Sequence, residues 1–515
     1  MKEDNESHTG VHGESFRSRL ALNSVAALAS KFGSLLIAFL LLPFIVGHLG
    51  DAQYGLWVLV SSIVAYGALA EFGIAAAVTK YVSEYSALGQ HHKCRRIIAS
   101  ALCLYSLIGL GLIVLFGVFS TAVPALFNLD QSQYEFATRL TVLMGISLGL
   151  SIPFSASTAV LQGLHRFDLT ALLSMARNLI FAGGVVISLP GGSALNLAIS
   201  HIVAMVIVQI PAIWWIYRLT PEYRFGSFAA SAKDMRKLMK FSWPLFMVNI
   251  GGFLQSKSDE IVIGARLPVG LITPYSIALM LSRIPQIVAE QFIGFILPIA
   301  SELGAKGHDD KMRQLFIVST RMSFAVFLAI GGVIAVMAES VIGVWVGESY
   351  TQYAVLVWIL SAALAIDILQ WPAAMILQGL SRHRIFAFIA VGTGIANVVL
   401  SVLLAPHLAL AGVALATLIT ATLETVFFVM PYALRTLAIR PAKFFSCVVL
   451  PALIPAVLSG LLLAAVNASF DLSSVFRLIC AGTLALLVYT GIYFTMPITA
   501  IEREFILGTI KTLRK

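Results

Sequence analysis

The chain has 515 residues, 59% of them hydrophobic and only 11% charged, with 34 Lys and Arg against 25 Asp and Glu and a formal net charge of +9. A soluble globular chain carries roughly 25% charged residues and must cover its surface with polar groups, so a soluble enzyme is excluded. A disordered scaffold and a collagen-like fibre fail on the same numbers, and a mean hydropathy of +0.92 points to a polytopic integral membrane protein.

In chain order, the polar stretch 1–19 reads as a cytoplasmic tail. The apolar run behind it is long and is followed by others, so a retained first helix is expected, not a cleaved signal. About 20 mainly apolar residues cross the hydrocarbon layer. On that ruler about fourteen segments qualify: 20–47, 53–78, 97–121, 138–162, 170–190, 195–217, 241–265, 273–300, 316–338, 352–378, 385–405, 410–432, 444–466 and 474–496. The fifth is the weakest, because Arg177 lies inside it, at a depth that fits either a cavity or the cytoplasmic interface. Alternating strands are absent, which favours an all-α fold over a β-barrel.

Punctuation within the segments suggests where helices bend. Pro153, Pro211, Pro244, Pro285 and Pro372 each free a backbone carbonyl. Gly251-Gly252, ahead of the polar run Gln255 to Glu260, predicts a pliable or broken seventh helix. Gly145 and Gly149 form a GxxxG, read as close packing within the chain.

Cations set the expected orientation. Lys80, Lys93, Arg95 and Arg96 follow the second segment and Arg166 the fourth; Arg218, Arg224, Lys233, Arg236, Lys237 and Lys240 follow the sixth. The later even-numbered segments continue the series, while loops after odd-numbered ones hold almost none, with Arg139 and Arg266 at their edges. Both termini are therefore expected on the cytoplasmic side. The basic stretch 218–240 reads as a cytoplasmic linker, and 497–515 as a second cytoplasmic tail.

An internal repeat divides the chain. Leu161-Gln162-Gly163-Leu164 recurs as Leu377-Gln378-Gly379-Leu380, 216 residues on, each time before a basic loop. Gly192, Ala194, Leu195, Ile199 and Pro211 match Gly412, Ala414, Leu415, Ile419 and Pro431 at an offset of 220. Two parallel six-helix lobes, 20–217 and 241–432, are expected, with two further helices at 444–496. Parallel repeats of this kind bind substrate between halves, near the midplane.

Charge inside the membrane costs about 2.5–3.5 kcal/mol for each central Lys, Arg or Asp, so such residues face a cavity or a partner. Lys31, Lys257 and Arg283 are the deep cations and together would cost roughly 8–10 kcal/mol against lipid. They are the candidate anion-binding residues, although Lys257 has Asp259 and Glu260 beside it and Arg283 has Glu290 along its face. Glu71, Glu290, Asp367 and Glu424 are embedded acids that can carry a proton or bind Na+. Glu290 is the weaker candidate for ion coupling, because Arg283 pairs with it. Arg139, Arg321 and Arg477 lie near segment ends and are expected to snorkel.

Cys94, Cys103, Cys447 and Cys480 show no CxxC spacing and read as buried small hydrophobes. No Walker A loop, dinucleotide glycine fingerprint or HExxH is present, so neither a cofactor nor a metal is expected, and no catalytic residue is assigned. Energy must then come from an ion gradient, the membrane potential or substrate flux. Nucleic acid is not an expected partner; membrane lipids are, and the chain is expected to act as a monomer.

The run Leu42-Pro43-Phe44-Ile45-Val46-Gly47-His48-Leu49-Gly50, leading to Tyr54-Gly55-Leu56-Trp57, resembles the first hairpin of the polysaccharide transport proteins. Those are the O-antigen and exopolysaccharide flippases of the multidrug/oligosaccharidyl-lipid/polysaccharide exporter superfamily. Glu71-Phe72-Gly73-Ile74, Leu161-Gln162-Gly163-Leu164 and Val344-Trp345-Val346-Gly347 are similar to that family too, over roughly residues 20–435. The resemblance implies two six-helix lobes around a central cationic cavity, working by alternating access in a bacterial inner membrane. It implies a polyprenyl-diphosphate-linked oligosaccharide as substrate, with polymerases and glycosyltransferases as neighbours. Two rivals stand beside it: an ion-coupled drug or cation antiporter of the same superfamily, and a polytopic glycosyltransferase or polymerase. The three deep cations oppose the first, and the shortness of every expected outside loop opposes the second.

Overall fold

The computed structural model describes residues 7–127, 129–220, 230–380, 384–470 and 474–496, with the side chains of 7–28, 243–256, 384, 385 and 387 excepted. The expected C-terminal tail and the middle of the basic linker lie outside these residues, as do Ser381 and Arg382. The described residues form helices and turns and contain no strand. Helices of ten or more residues are α1 (Ser7–Gly67), α2 (Ile74–Ala87), α3 (His91–Phe119), α4 (Gln131–Gly163), α5 (Phe167–Ser188), α6 (Ala194–Leu219) and α7 (Ala232–Arg266). The series continues with α8 (Ile272–Ala289), α9 (Ile296–Ala305), α10 (Asp309–Val336), α11 (Ala354–Gly379), α12 (Arg384–Thr422), α13 (Leu450–Ser469) and α14 (Val475–Thr495).

Eleven stretches among the described residues are long and apolar enough to cross a membrane, so this is a multi-pass, all-α membrane protein. Two of them, of 59 and 49 residues, exceed any single crossing. The first is broken at Gly50, with φ 68° and ψ 173°, and the second at Ala409, with φ 48° and ψ −132°. Glycine takes that conformation without a Cβ clash, whereas Ala409 holds a strained one. Each of these stretches therefore contains two of the expected segments.

Two expected helices are not continuous. Segment 53–78 leaves α1 at Gly67, passes through a tight turn at Ala68–Glu71 and the positive-φ pair Phe72 and Gly73, and resumes as α2. Segment 273–300 splits likewise into α8 and α9 around a tight turn at Glu290–Phe292. At Gly251-Gly252, expected to be pliable or broken, α7 continues as one helix. Apolar content measures whether a run can sit in lipid, and a single tight turn inside the run leaves that content unchanged.

The structure separates into two compact units, Met1–Ile250 and Gly251–Lys515. In the first, α3 lies along α4, α5 packs on α1 and α6, and α2 packs on α4. The α2–α4 contact explains one glycine: a Cβ on Gly163 would stand 2.8 Å from the Val82 Cβ and 3.0 Å from the Thr79 carbonyl oxygen. In the second unit, Gly379 at the end of α11 meets α9 in the same way, its added Cβ lying 3.0 Å from the Ala300 Cβ and 3.1 Å from the Ser301 nitrogen. The recurring Leu-Gln-Gly thus marks one helix contact made once in each unit. Gly145 and Gly149 pack against α3 within the chain, since a Cβ on Gly149 would sit 2.6 Å from the Gly109 carbonyl oxygen.

The start of α7 is fastened within the first unit. Arg96 donates to both oxygens of Asp234, at 2.7 and 3.2 Å, and the Lys237 Nζ donates to the Tyr85 hydroxyl at 2.6 Å. Burial disfavours the Lys237 ammonium, but Tyr85, Tyr81 and Glu84 outweigh it and hold its pKa above the ordinary lysine value.

In the second unit α10 and α11 pack on α8, and α13 with α14 packs on α10. Phe316, Phe327, Ile368, Leu377 and Val448 belong to its core. Arg321 does not snorkel. It is only 2% exposed and its Nη1 donates to the Cys447 carbonyl at 2.9 Å. That carbonyl lies in a π-helical turn, Phe445–Val449, and such turns loosen the usual backbone ladder. Of the cysteines, Cys94 is buried, Cys103 and Cys447 are half-buried, and Cys480 is exposed, which corrects the expectation of four buried thiols.

Candidate functional site

Within the first unit a cavity of about 400 Å³ opens among α4, α5, α6 and the Ala68–Glu71 turn. Its polar wall follows from helical spacing. Ser151, Ser155, Thr158 and Gln162 recur at intervals of four, three and four along α4, and Thr170, Ser174 and Arg177 at four and three along α5. Residues three or four apart share a helix face, so each set projects as one stripe. Glu71 enters from the tight turn, Gln209 from α6, and Phe154 supplies the one aromatic ring of the lining among the described residues.

The hydrogen bonding of this wall is incomplete. The Tyr105 hydroxyl and Ser155 Oγ both donate to Glu71 Oε1, at long distances of 3.3 and 3.4 Å, and the other carboxylate oxygen receives none among the described residues. Among those residues Arg177 forms no hydrogen bond or ion pair, and neither do the side chains of Gln162, Thr158 and Ser174. Polar groups inside a membrane helix bundle that lack protein partners call for water or a ligand.

A second polar cluster sits inside the other unit. Asp259 on α7 is 7% exposed; the Tyr275 hydroxyl donates to its Oδ2 at 2.6 Å and Thr417 Oγ1 to the same atom at 3.0 Å. The Asn397 amide donates to Thr417 and Thr420 at 3.2 and 3.3 Å, and Ser258 donates to the Asn397 oxygen at 3.1 Å. Asp259 Oδ1 is buried with no partner among the described residues, and so is Oε2 of the neighbouring Glu260. Carboxylate, amide and hydroxyl oxygens gathered this way suit a hard cation. No three His, Cys, Asp or Glu side chains converge into a transition-metal set among the described residues.

The expected residues fall in different surroundings. Glu71 lines the first unit's cavity. Lys31 is exposed on α1 and is not part of that lining, where Arg177 stands instead. Lys257 is half-buried and makes no ion pair with Asp259 or Glu260, whose side chains turn into the buried cluster. Arg283 is half-buried on α8, near enough for its charge to act on Asp259. Glu290 is half-buried in its tight turn. Asp367 is held by its own helix, with Gln370 Nε2 on one oxygen at 2.7 Å and Trp371 Nε1 on the other at 3.0 Å. Glu424, in a second π-helical turn at Leu423–Val429, accepts from Thr393 Oγ1 at 3.0 Å.

Residues 20–304 match the family described as polysaccharide biosynthesis protein, which is more than half of the chain. The chain belongs to that family. A relative in Haloferax volcanii, described as a probable low-salt glycan biosynthesis flippase, Agl15, is 23% identical over 409 residues, 79% of this chain and 82% of its own. The Bacillus subtilis membrane protein EpsK is 20% identical over 494 residues, covering 95% of this chain and 97% of its own. Among solved structures, the inward closed lipid II flippase MurJ covers 92% of this chain and 99% of its own, with a TM-score of 0.74 at 15% identity. An inward-facing structure described as a multidrug resistance MATE family transporter of the MOP superfamily gives 0.67 at 10% identity, covering 81% of this chain and 98% of its own. The family's expected transporter fold is therefore present.

The spaced polar stripe of α4 and α5 was available in the sequence, hidden within segments recognised only by their apolar content. Asn397, Thr417 and Thr420 carried no such signal. Single Asn and Thr residues are unremarkable in membrane helices, and only the fold gathers them around Asp259.

Proposed function

We propose that this protein is a flippase that moves a polyprenyl-diphosphate-linked oligosaccharide from the cytoplasmic to the outer leaflet of the inner membrane, by alternating access, for O-antigen, exopolysaccharide or capsule assembly. The observation that carries the proposal is the first unit's cavity, a hydroxyl-, amide- and guanidinium-lined space inside apolar helices of a polysaccharide biosynthesis protein. Sugars need such polar walls to cross a layer about 30 Å thick, while the lipid tail stays in hydrocarbon. The flippase names of the archaeal relative and of the structural neighbour support the same reading. Lys31, Lys257 and Arg283 are the donors we assign to the diphosphate, where charge-assisted hydrogen bonds replace its water. Asp259, with one bare buried oxygen, is the group we assign to the coupling cation. The drug-antiporter alternative fits less well, because Arg177 offsets the single carboxylate Glu71 and leaves the cavity no net negative charge to attract a cationic drug.

The test is reconstitution in vesicles holding fluorescent polyprenyl-diphosphate oligosaccharide, with leaflet exposure read by an impermeant quencher. Wild type should move the labelled glycan and leave a cationic dye untouched, and Lys31→Ala with Arg283→Ala should stop movement. Dye transport without glycan movement overturns the proposal in favour of the antiporter.

A further inference from the structure

We propose that the first unit's cavity is a subsite for an acidic sugar of the transported glycan, with Arg177 taking the sugar carboxylate and Glu71 and Gln162 taking ring hydroxyls. This inference rests on the flippase reading and adds the substrate class.

The unspent hydrogen-bonding capacity of the wall defines the ligand. Arg177 offers a planar fork of donors matched to a carboxylate, and nothing among the described residues occupies it. Glu71 offers a bare carboxylate oxygen, which accepts from hydroxyls. Gln162 offers both a donor and an acceptor, the pairing that vicinal hydroxyls satisfy. Phe154 gives an apolar ring against which the C–H face of a sugar can lie. From Ser151 to Gln162 the stripe on α4 runs about 16 Å at 1.5 Å per residue, an elongated wall suited to a short saccharide. The volume of about 400 Å³ falls in the range of small-ligand sites.

Two sources in the lipid-linked substrate supply an anionic oxygen group: a sugar carboxylate and the diphosphate. Charge balance favours the sugar. Among the described residues Arg177 is the single cation of the lining and Glu71 its single acid, so the wall is neutral overall. On a neutral wall a diphosphate adds about two negative charges beside Glu71 and a uronate adds one, so the sugar carries the smaller repulsion. A uronate-type sugar places one negative charge on Arg177 and turns hydroxyl donors toward Glu71.

The experiment measures binding of glucuronate, glucose and inorganic pyrophosphate to the full chain in lipid nanodiscs, by saturation-transfer NMR. Wild type should bind glucuronate about tenfold more tightly than glucose. Arg177→Gln should abolish that preference, Arg177→Lys should keep part of it, and Glu71→Gln should weaken both sugars alike. Equal binding of the two sugars by wild type overturns the inference, as does a preference that survives in Arg177→Gln. Pyrophosphate bound more tightly than either sugar, and lost in Arg177→Gln, also overturns it by giving the guanidinium to the headgroup. Monodisperse elution and thermal midpoint show whether each variant is folded. Should Arg177→Gln fail to fold, a preference undiminished in Arg177→Lys overturns the inference and a reduced one supports it. Glycan movement in vesicles without any sugar preference removes this subsite and leaves the flippase reading standing. Sugar preference without glycan movement does the reverse.

Discussion

Tyr275 donates to one oxygen of Asp259 at 2.6 Å, while the other oxygen of that carboxylate is buried without a hydrogen-bond partner among the described residues. Asp367, also inside the second unit, has both oxygens held within one turn of its own helix. A bare buried oxygen costs free energy unless something fills it, and a satisfied carboxylate needs nothing further. The two acids should therefore respond differently to neutralisation. Asp259→Asn should remove the dependence of transport on the ion gradient and lower its rate at least about tenfold, equivalent to about 1.4 kcal/mol. Asp367→Asn should stay within about threefold of wild type, the loss of one modest hydrogen bond. Transport in vesicles with the proton, sodium and electrical gradients collapsed one at a time decides it. Unchanged gradient dependence in Asp259→Asn would return the coupling role to Glu71, Glu290 or Glu424.

Arg321 should matter for stability more than for transport. Its guanidinium is buried against the Cys447 carbonyl and ties α10 to the segment leading into α13. Arg321→Met leaves that carbonyl bare, so it should cost about 2–4 kcal/mol from the lost bond and imperfect packing. Thermal unfolding in detergent should show a clearly lowered midpoint, with Arg321→Lys falling in between. A midpoint for Arg321→Met equal to that of wild type would show the buried contact to be dispensable.

Different physical signals explain what the sequence disclosed. Membrane class and all-α fold followed from hydropathy, because lipid forces backbone hydrogen bonds inside each segment. The Leu-Gln-Gly repeat was legible because Gly163 and Gly379 stand where a neighbouring helix leaves no room for a Cβ. Helix breaks were not, since the turns at Ala68–Glu71 and Glu290–Phe292 interrupt runs that stay apolar throughout. Glu71 and Arg177 both stand out as charges in apolar runs, but the sequence leaves Arg177 open between a cavity and the cytoplasmic interface, and only the fold brings both into one lining. Lys31 stands out by depth along its segment, and depth says nothing about which face of a helix meets a cavity. Arg321 misleads for the opposite reason: a position near a segment end suggests snorkelling, whereas a π-helical turn offers it a carbonyl inside the protein.

The crossing of α3 and α4 offers a packing test. An added Cβ on Gly109 would lie 2.2 Å from the Gly149 carbonyl oxygen, and one on Gly149 would lie 2.6 Å from the Gly109 oxygen. Both obstacles are backbone, so no side-chain rotation relieves them. Gly109→Ala and Gly149→Ala should each force the helices apart, with a cost of about 1–3 kcal/mol or more from overpacking. Gly111→Ala on the same helix as Gly109 meets open space and should be neutral or slightly stabilising. Folded yield and thermal midpoint across the three variants provide the comparison, and equal values for all three would contradict the close approach.

Orientation is the last prediction, and it comes from charge. The connection 122–137 contains no Lys or Arg, whereas 218–240 contains Arg218, Arg224, Lys233, Arg236, Lys237 and Lys240. Cytoplasmic loops retain such cations, and each one near an anionic leaflet gains about 1 kcal/mol. The second connection should therefore lie inside and the first outside. Asp130 and Ala230 are both exposed, so cysteine at either position is open to a reagent on its own side. In a background with Cys94, Cys103, Cys447 and Cys480 replaced by Ala, an impermeant maleimide added to intact cells should modify Asp130→Cys. The same reagent should reach Ala230→Cys only after the cells are opened. The opposite pattern would place the basic connection outside. The cation bias would then have failed as a guide to topology.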